Sequence, residues 1–333
     1  MIFTQFASKI KRRLWSMLVE HTQNRSIYPC LYRSFWHYKF FGEGSISNAI
    51  CYFSACPNQG AGIGHQLANW IAGYWFAKQF GLKYAHVPFS TQKWEDLLGF
   101  GEDEMKVSEL KKKGYKVRKL PMFDEYNSQQ VALTKTIIKS YSGKKVVLVA
   151  EQDQFYQDQY GVINDIREKF YHAAARQNDR IIYSKETFNI AVHLRRGDIV
   201  AGAQAGDRSV LFRWQNNDYF VNVLTEVIKT LHSDCPVVIH LFSQGKQDDF
   251  QAFNQFENIQ YHLDMTPYDS FLHMVYADLL ITSKSSFSYK PALLNKGIKI
   301  SPRDFWHGYP DDPKWILAEN DGTFEVNKLN LKF

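Results

Sequence analysis

The stretch Phe188-Asn189-Ile190-Ala191-Val192-His193-Leu194-Arg195-Arg196-Gly197-Asp198-Ile199-Val200 decides how this chain folds. Ile190, Ala191 and Val192 read as a buried strand that delivers a His, two Arg and an Asp to its carboxyl end. Side chains alternate along a strand, so His193 and Arg195 share one side while Arg196 points elsewhere. Gly197 lets the chain turn sharply and lets a ligand approach the backbone. In open α/β sheets, ligands collect at the carboxyl ends of strands. Guanidinium groups fixed there can grip a phosphate or pyrophosphate bidentately. An exposed Arg-rich turn would carry the same residues.

Working outward, Ile50-Cys51-Tyr52-Phe53 reads as a first buried strand, and Gly60-Ala61-Gly62-Ile63-Gly64 as a glycine loop. Residues 65–80 carry Leu67, Trp70, Ile71, Tyr74, Trp75 and Ala77 at helical period, closed by Gly81. Residues 82–87 form the next strand. Strand, glycine loop, helix, strand is a βαβ unit, and its helix N-terminus is a natural anion site. A charged, weakly structured region leads to a clear strand at 146–150. A helix over 164–176, the central strand, a helix over 218–231 and strands at 237–242 and 259–263 follow. A helix over 268–276 and a strand at 279–282 complete an α/β alternation with mostly parallel sheet. Two such units imply two domains with a boundary between 165 and 183; a single large sheet is the alternative.

The chain has 333 residues, enough for two domains, and 45% apolar with 16% aromatic content excludes wholesale disorder. A formal charge of +6 and a pI near 8.9 suit an anionic ligand or an acidic membrane surface. No nucleic-acid-binding motif occurs, so no nucleic acid partner is expected. Cys30, Cys51, Cys56 and Cys235 show no C-x-x-C pair or zinc-like spacing, the pattern of reduced, buried thiols in a cytosolic protein; a Cys51–Cys56 disulfide is the alternative. No stretch reads as a signal peptide or as a run of about 18 apolar residues, so a cytoplasmic location is expected. Ile2, Phe3, Phe6, Ile10, Leu14 and Leu18 recur at helical spacing, with Lys9, Lys11, Arg12 and Arg13 among them. Such a helix lies peripherally in an anionic membrane interface, here the inner face, or packs its stripe on the protein itself. The pattern serves both.

His193-Leu194-Arg195-Arg196-Gly197-Asp198 resembles the H-x-R-R-x-D motif shared by α-1,2-, α-1,6- and protein O-fucosyltransferases. The segment Gly60 to Gln66 is similar to the early G-x-G-N-Q loop of the α-1,2 enzymes, and Ser285-Ser286-Phe287-Ser288 to their late S-S-F-S turn after a strand. The motifs occur in the family's order over roughly residues 50 to 300. The resemblance implies a GT-B-like α/β fold, with two Rossmann-type domains facing a cleft. On that reading residues 1–47 are an N-terminal helical extension, 48–182 an acceptor-side domain and 183–333 the donor nucleotide-binding domain.

Breaking a sugar–diphosphate bond puts negative charge on the departing pyrophosphate, which needs preorganised positive charge and hydrogen-bond donors. No D-x-D metal motif and no Cys/His cluster occurs, so no metal is expected and the cations come from protein. Arg195 matches the family's arginine on the β-phosphate, and His193 the histidine that supports the nucleotide, although a histidine capping its strand end would look alike. Arg196 is expected on the other side, bracing the loop by an ion pair with Asp198 as partner; Asp198 is also a base candidate. Ser285, Ser286, Phe287 and Ser288 precede a helix whose start would cradle phosphate, with Gly62 and Gly64 as further donor-side residues. Simple N-capping by serine is the rival reading. Asp269 lies near the family's guanine-binding aspartate and equally suits a helix N-cap.

The chain departs from the family where His65 replaces Asn, where Tyr289-Lys290 replace tryptophans, and where Ala203 stands at the α-1,6 enzymes' glutamate base. His65 becomes a candidate base for the acceptor hydroxyl. The aromatic stretch from Asp304 to Trp315 suits a sugar or a packed loop. Taken with these residues, the resemblance implies an inverting, metal-independent fucosyltransferase, using GDP-fucose on a glycan or lipid-linked oligosaccharide, with α-1,2 linkage. The alternatives are another GDP-sugar, a protein hydroxyl as acceptor, or a non-catalytic nucleotide- or glycan-binding protein.

Overall fold

The central strand forms over Phe188–His193 with every residue buried, as a strand covered on both faces requires. The computed structural model describes residues 2–42, 51–55, 60–150, 156–197, 199, 200, 202, 206, 212–231 and 233–329. Strands are numbered in chain order. The central strand is β6, and it pairs in parallel with β7 (Val237–Phe242) and β9 (Leu279–Ile281), placing Ile190 between Ile239 and Leu279. With β8 (Ile259–His262), β10 (Ile298–Pro302) and β11 (Trp315–Ala318) they make a six-stranded parallel sheet of order β11-β10-β9-β6-β7-β8.

That order has a physical consequence. From β6 the chain winds through β7 and β8, then crosses back to place β9 on the other side of β6. The connections that leave β6 and β9 therefore diverge, opening a crevice at their carboxyl ends. The sheet is held from one side by the helix Asn217–Thr230, capped by Asn216, which buries Tyr219, Phe220, Val223, Leu224 and Val227 against Ile190, Val192, Ile239 and Leu241. Each such side chain contributes roughly 1.5–3 kcal/mol when fully buried.

A second sheet has the order β3-β2-β1-β5-β4, built from β1 (Cys51–Ala55), β2 (Lys83–His86), β3 (Met105–Lys106), β4 (Lys116–Lys119) and β5 (Val146–Ala150), again all parallel. Two parallel sheets with helices are the α/β architecture expected, and the single-sheet alternative is excluded. The chain packs as two compact units: residues 1–58, 68–88 and 103–156, and residues 59–67, 89–102 and 157–333.

Several expectations need correction. The charged region between 88 and 145 is regular: it holds helices Gln92–Leu98, Val107–Lys112 and Ser128–Ser140 as well as β3 and β4. The edge strand β4 is Lys-Val-Arg-Lys, polar enough to hide its strand pattern and suited to an edge. Of the cysteines described, Cys51 is buried, but Cys30 is only half-buried and Cys235 is exposed in the turn before β7. Cys56 lies outside the described residues. The N-terminal part forms helices α1 (Ile2–Thr22) and α2 (Arg33–Phe41). Val19, Tyr28 and Tyr32 make a small core with Trp15, Leu31 and Met122, and buried Ser34 donates to the Lys119 carbonyl at 2.7 Å.

Candidate functional site

The site is built at the carboxyl ends of β6 and β9, where the strand order opens the sheet. His193, the last residue of β6, is buried, and its Nδ1 lies 2.9 Å from Ser283 Oγ. Burial, with Arg195 and Arg196 nearby, pushes its pKa down to about 3, so the ring is neutral and serves as a hydrogen-bonding strut. Its ring packs 5.4 Å from that of Phe287. Arg195 is half-buried beyond the strand end.

Arg196 is buried and turned away. Its guanidinium donates to the Arg195 carbonyl at 2.9 Å and to Asn217 Oδ1 at 2.6 Å, and stacks 4.6 Å over Trp214. Burial draws its pKa down to about 10, leaving it charged at neutral pH. A bidentate donor on the neighbouring carbonyl and on the next helix fixes the backbone from which Arg195 projects. Asn217 and Trp214 thus hold Arg196; Asp198, expected as its partner and as a base candidate, lies outside the described residues. Gly197 adopts φ +66°, the left-handed conformation that the sharp turn needs.

After β9 comes the serine turn. Ser285 caps the helix Ser286–Leu294, accepting from the Phe287 N–H at 3.2 Å. Ser288 is fully buried; its hydroxyl accepts from the Ser283 N–H at 3.2 Å and donates to the Ser285 carbonyl at 3.3 Å. These two hydroxyls shape the turn itself. Ser286 and Phe287 are half-buried and form its outer surface.

The glycine loop meets this turn. Gly62 precedes α3 (Ile63–Gln79) and accepts from the N–H groups of His65 and Gln66, while Gln66 clamps the loop to the Ala61 carbonyl and the Ser90 hydroxyl. Gly64, in the first turn, lies so close to Ser286 that a Cβ there would sit 2.8 Å from the Ser286 carbonyl carbon and Cβ. Only glycine allows two helix starts to touch at this point. His65 is exposed on the same turn.

Asp269 falls in the first turn of the helix Pro267–Tyr276, not at its N-cap, which is Thr266. Its N–H donates to Thr266 Oγ1 at 3.2 Å, its carboxylate accepts from the same hydroxyl, and its carbonyl accepts from His273 Nδ1 at 2.6 Å. Asp269 therefore closes the start of this helix, whatever else it contacts.

Three residues that the motifs did not single out stand here. His307 is buried and stacked 4.8 Å from Tyr289; its Nε2 accepts from Trp306 Nε1 at 3.1 Å and lies 3.5 Å from Ser286 Oγ. Because indole only donates, the ring proton sits on Nδ1, which is buried with no partner among the described residues. Burial, then Lys290 and His65, hold its pKa far below the usual range. Lys284 and Lys290 are also buried, with ammonium groups on Asn320 Oδ1 at 2.9 Å and Gln159 Oε1 at 2.7 Å. A contiguous apolar-aromatic segment gave no sign that one of its members would reach the serine turn. The stretch from Asp304 to Trp315 is a packed loop: Phe305, Tyr309 and Trp315 surround Tyr289, and Asp312 pairs with buried Lys299 at 3.5 Å. Trp306 alone of its aromatics stays exposed.

Residues of the three sequence motifs thus meet in the second unit, where the first turn of α3 touches the start of the helix Ser286–Leu294 and His193 reaches Ser283. Such a place suits a phosphate-bearing ligand. No group of three or more His, Cys, Asp or Glu side chains arranged for a metal occurs among the described residues.

No protein-family model and no curated protein matches the chain. Solved structures with a partial likeness include POFUT1 in complex with GDP-fucose, 13% identical over 77% of this chain and 99% of that one, with a TM-score of 0.44. The fucosyltransferase NodZ from Bradyrhizobium is 10% identical over 74% and 92%, with a TM-score of 0.39. The E. coli heptosyltransferase WaaC with ADP is 10% identical over 84% and 96%, with a TM-score of 0.42.

Proposed function

We propose that this chain is an inverting glycosyltransferase that transfers fucose from GDP-fucose to a hydroxyl of a glycan or lipid-linked oligosaccharide, in α-1,2 linkage and without a metal. One observation carries the reading: the glycine loop, the H-x-R-R-x-D strand end and the S-S-F-S turn meet through Gly64, Ser286, His193 and Ser283. On this reading the second unit holds the donor and the first serves the acceptor. Arg195 and the backbone donors at the start of the helix Ser286–Leu294 take up the charge that grows on the leaving pyrophosphate. Arg196, His193, Ser285 and Ser288 hold those groups in place. Gly62 and Gly64 let the diphosphate approach the first turn of α3, and Asp269 reads the guanine edge. His65 receives the acceptor proton, or Asp198 does.

The test is calorimetric titration with GDP, GDP-fucose, GDP-mannose and UDP-galactose in chelator, followed by mass spectrometry of acceptor pools. GDP-fucose binding with a deoxyhexose mass gained by an acceptor is the expected result. Activity abolished by chelator and restored by manganese would sink metal independence. Turnover of a different donor would sink the assignment of fucose, and binding without turnover would leave a nucleotide-binding protein.

A further inference from the structure

The outer sides of α1 and α2 share a second character, apolar and basic, that the site above does not use. Trp15 and Val19 turn α1 inward, onto Tyr32 and its neighbours. The opposite side is left open: Ile10, Leu14, Met17 and Leu18 are 46%, 61%, 52% and 43% exposed. The stripe recognised in the sequence therefore does not pack on the protein where its side chains are described. On α2, Ser34 and His37 face inward, to Lys119 and to Ser140 and Tyr141. Trp36, Phe40 and Phe41 face out, 45%, 76% and 72% exposed, beside exposed Arg33 and Lys39. Isolated exposed apolar residues are ordinary, but seven on two successive helices are not.

Charge identifies the occupant. Residues 1–42 hold seven Lys or Arg, namely Lys9, Lys11, Arg12, Arg13, Arg25, Arg33 and Lys39, against the single acid Glu20. The whole net charge of +6 therefore resides in these residues, and the remainder of the chain is neutral. A second copy would bring like charge onto like charge. A nucleic acid would meet the cations but leave Ile10, Leu14, Met17 and Leu18 unsatisfied. A bilayer with anionic headgroups satisfies both, taking aliphatic and aromatic side chains into its interface and basic ones at its surface. No described helix is long and apolar enough to cross a membrane, so the surface lies on the bilayer.

We propose that the outer faces of α1 and α2 seat this protein peripherally on an anionic lipid surface. The proposal is independent of the transferase reading, since its test needs no turnover. Full-length protein is floated with vesicles of phosphatidylcholine containing 30 mol% phosphatidylglycerol, and with vesicles of phosphatidylcholine alone. Flotation with the first and about tenfold less with the second is expected, and 0.5 M salt should weaken it. Leu14→Glu/Leu18→Glu and Phe40→Ser/Phe41→Ser should each lower partitioning by about tenfold or more. Lys11→Glu/Arg13→Glu should lower it by at least roughly twentyfold. All six positions are exposed, and circular dichroism with thermal unfolding checks that each variant folds. Equal flotation with both vesicle types, or flotation unchanged in the variants, would overturn the proposal. So would a dimer broken by Leu14→Glu/Leu18→Glu, or RNA binding as tight as vesicle binding.

Discussion

Gly64→Ala is the sharpest probe of the convergence described above. The added methyl would lie 2.8 Å from two carbons of Ser286 and 2.9 Å from its carbonyl oxygen. Ordinary carbon–carbon contact is about 3.5–4.0 Å, so the two helix starts must part by roughly 1 Å. Backbone on both sides leaves no flexible side chain to absorb the change. Overpacking of this kind costs about 1–3 kcal/mol. If the cost falls on the fold, urea unfolding will register it directly. If the turn instead moves away from α3, the same energy reappears as lost GDP affinity, about 5- to 150-fold at 1.4 kcal/mol per factor of ten. Calorimetric titration with GDP and urea unfolding of the same sample divide the two. Gly62→Ala is the control, because a Cβ there meets nothing within 4 Å; its stability should change by no more than ~1 kcal/mol. A Gly64→Ala protein with native stability and native GDP affinity would refute the contact and the site built on it.

Arg195→Lys should lower kcat about 10²–10³-fold with the fold intact, because the charge remains but the planar fork is lost; near-native turnover would remove Arg195 from the chemistry. Arg196→Ala should instead lower unfolding free energy by about 2–3 kcal/mol, since Asn217 and the Arg195 carbonyl both lose a charged donor. Ser288→Ala should cost roughly 1–2 kcal/mol of stability by orphaning the Ser283 N–H, whereas Ser286→Ala should cost little. His193 has a folded pKa of about 3, below its ordinary 6.5, so the unfolded chain takes up the proton first. Its contribution is complete above pH 6.5 and is lost as pH falls toward 3, by roughly 1.4 kcal/mol per pH unit. Urea unfolding between pH 7 and 5 should show at least this slope, since buried His240 and His307 are shifted in the same direction and add to it; His193→Asn should lessen it, and identical slopes would contradict the neutral buried ring.

What the sequence made legible follows from where periodicity is strong. β6 reads as a strand because Ile190, Ala191 and Val192 form an apolar run buried on both faces, and α3 because its large residues repeat on a helical period. β3, β4 and the short helices among them escaped because edge positions need few apolar residues, and Lys116–Lys119 sets a single Val among three basic residues. Within the site, the residues were legible but their division of labour was not. Ser285, Ser286 and Ser288 look alike in a string, yet two are turned inward by backbone bonds and one is left outside. His307 was illegible because its partner Ser286 is set by the loop after β10, a tertiary contact with no local pattern. The membrane and self-packing readings of α1 had the same sequence; burial of Val19, with Trp15 packed beside it, is what distinguishes its sides.

The interleaving of the two units also sets a timetable for synthesis. Residues 59–67 and 89–102 belong with 157–333, so they leave the ribosome before the sheet they will join exists. At about 5–20 residues per second, Gly64 emerges roughly 10–45 s ahead of the Ser286 turn. During that interval its glycine-rich, helix-starting segment has no docking surface, while β1 and β2 on either side can already pair. A nascent chain of this design must hold a finished sheet and an unfinished loop side by side. No single cut separates it into two self-sufficient halves, and fragments divided near residue 156 would have to meet again before the second unit could complete itself.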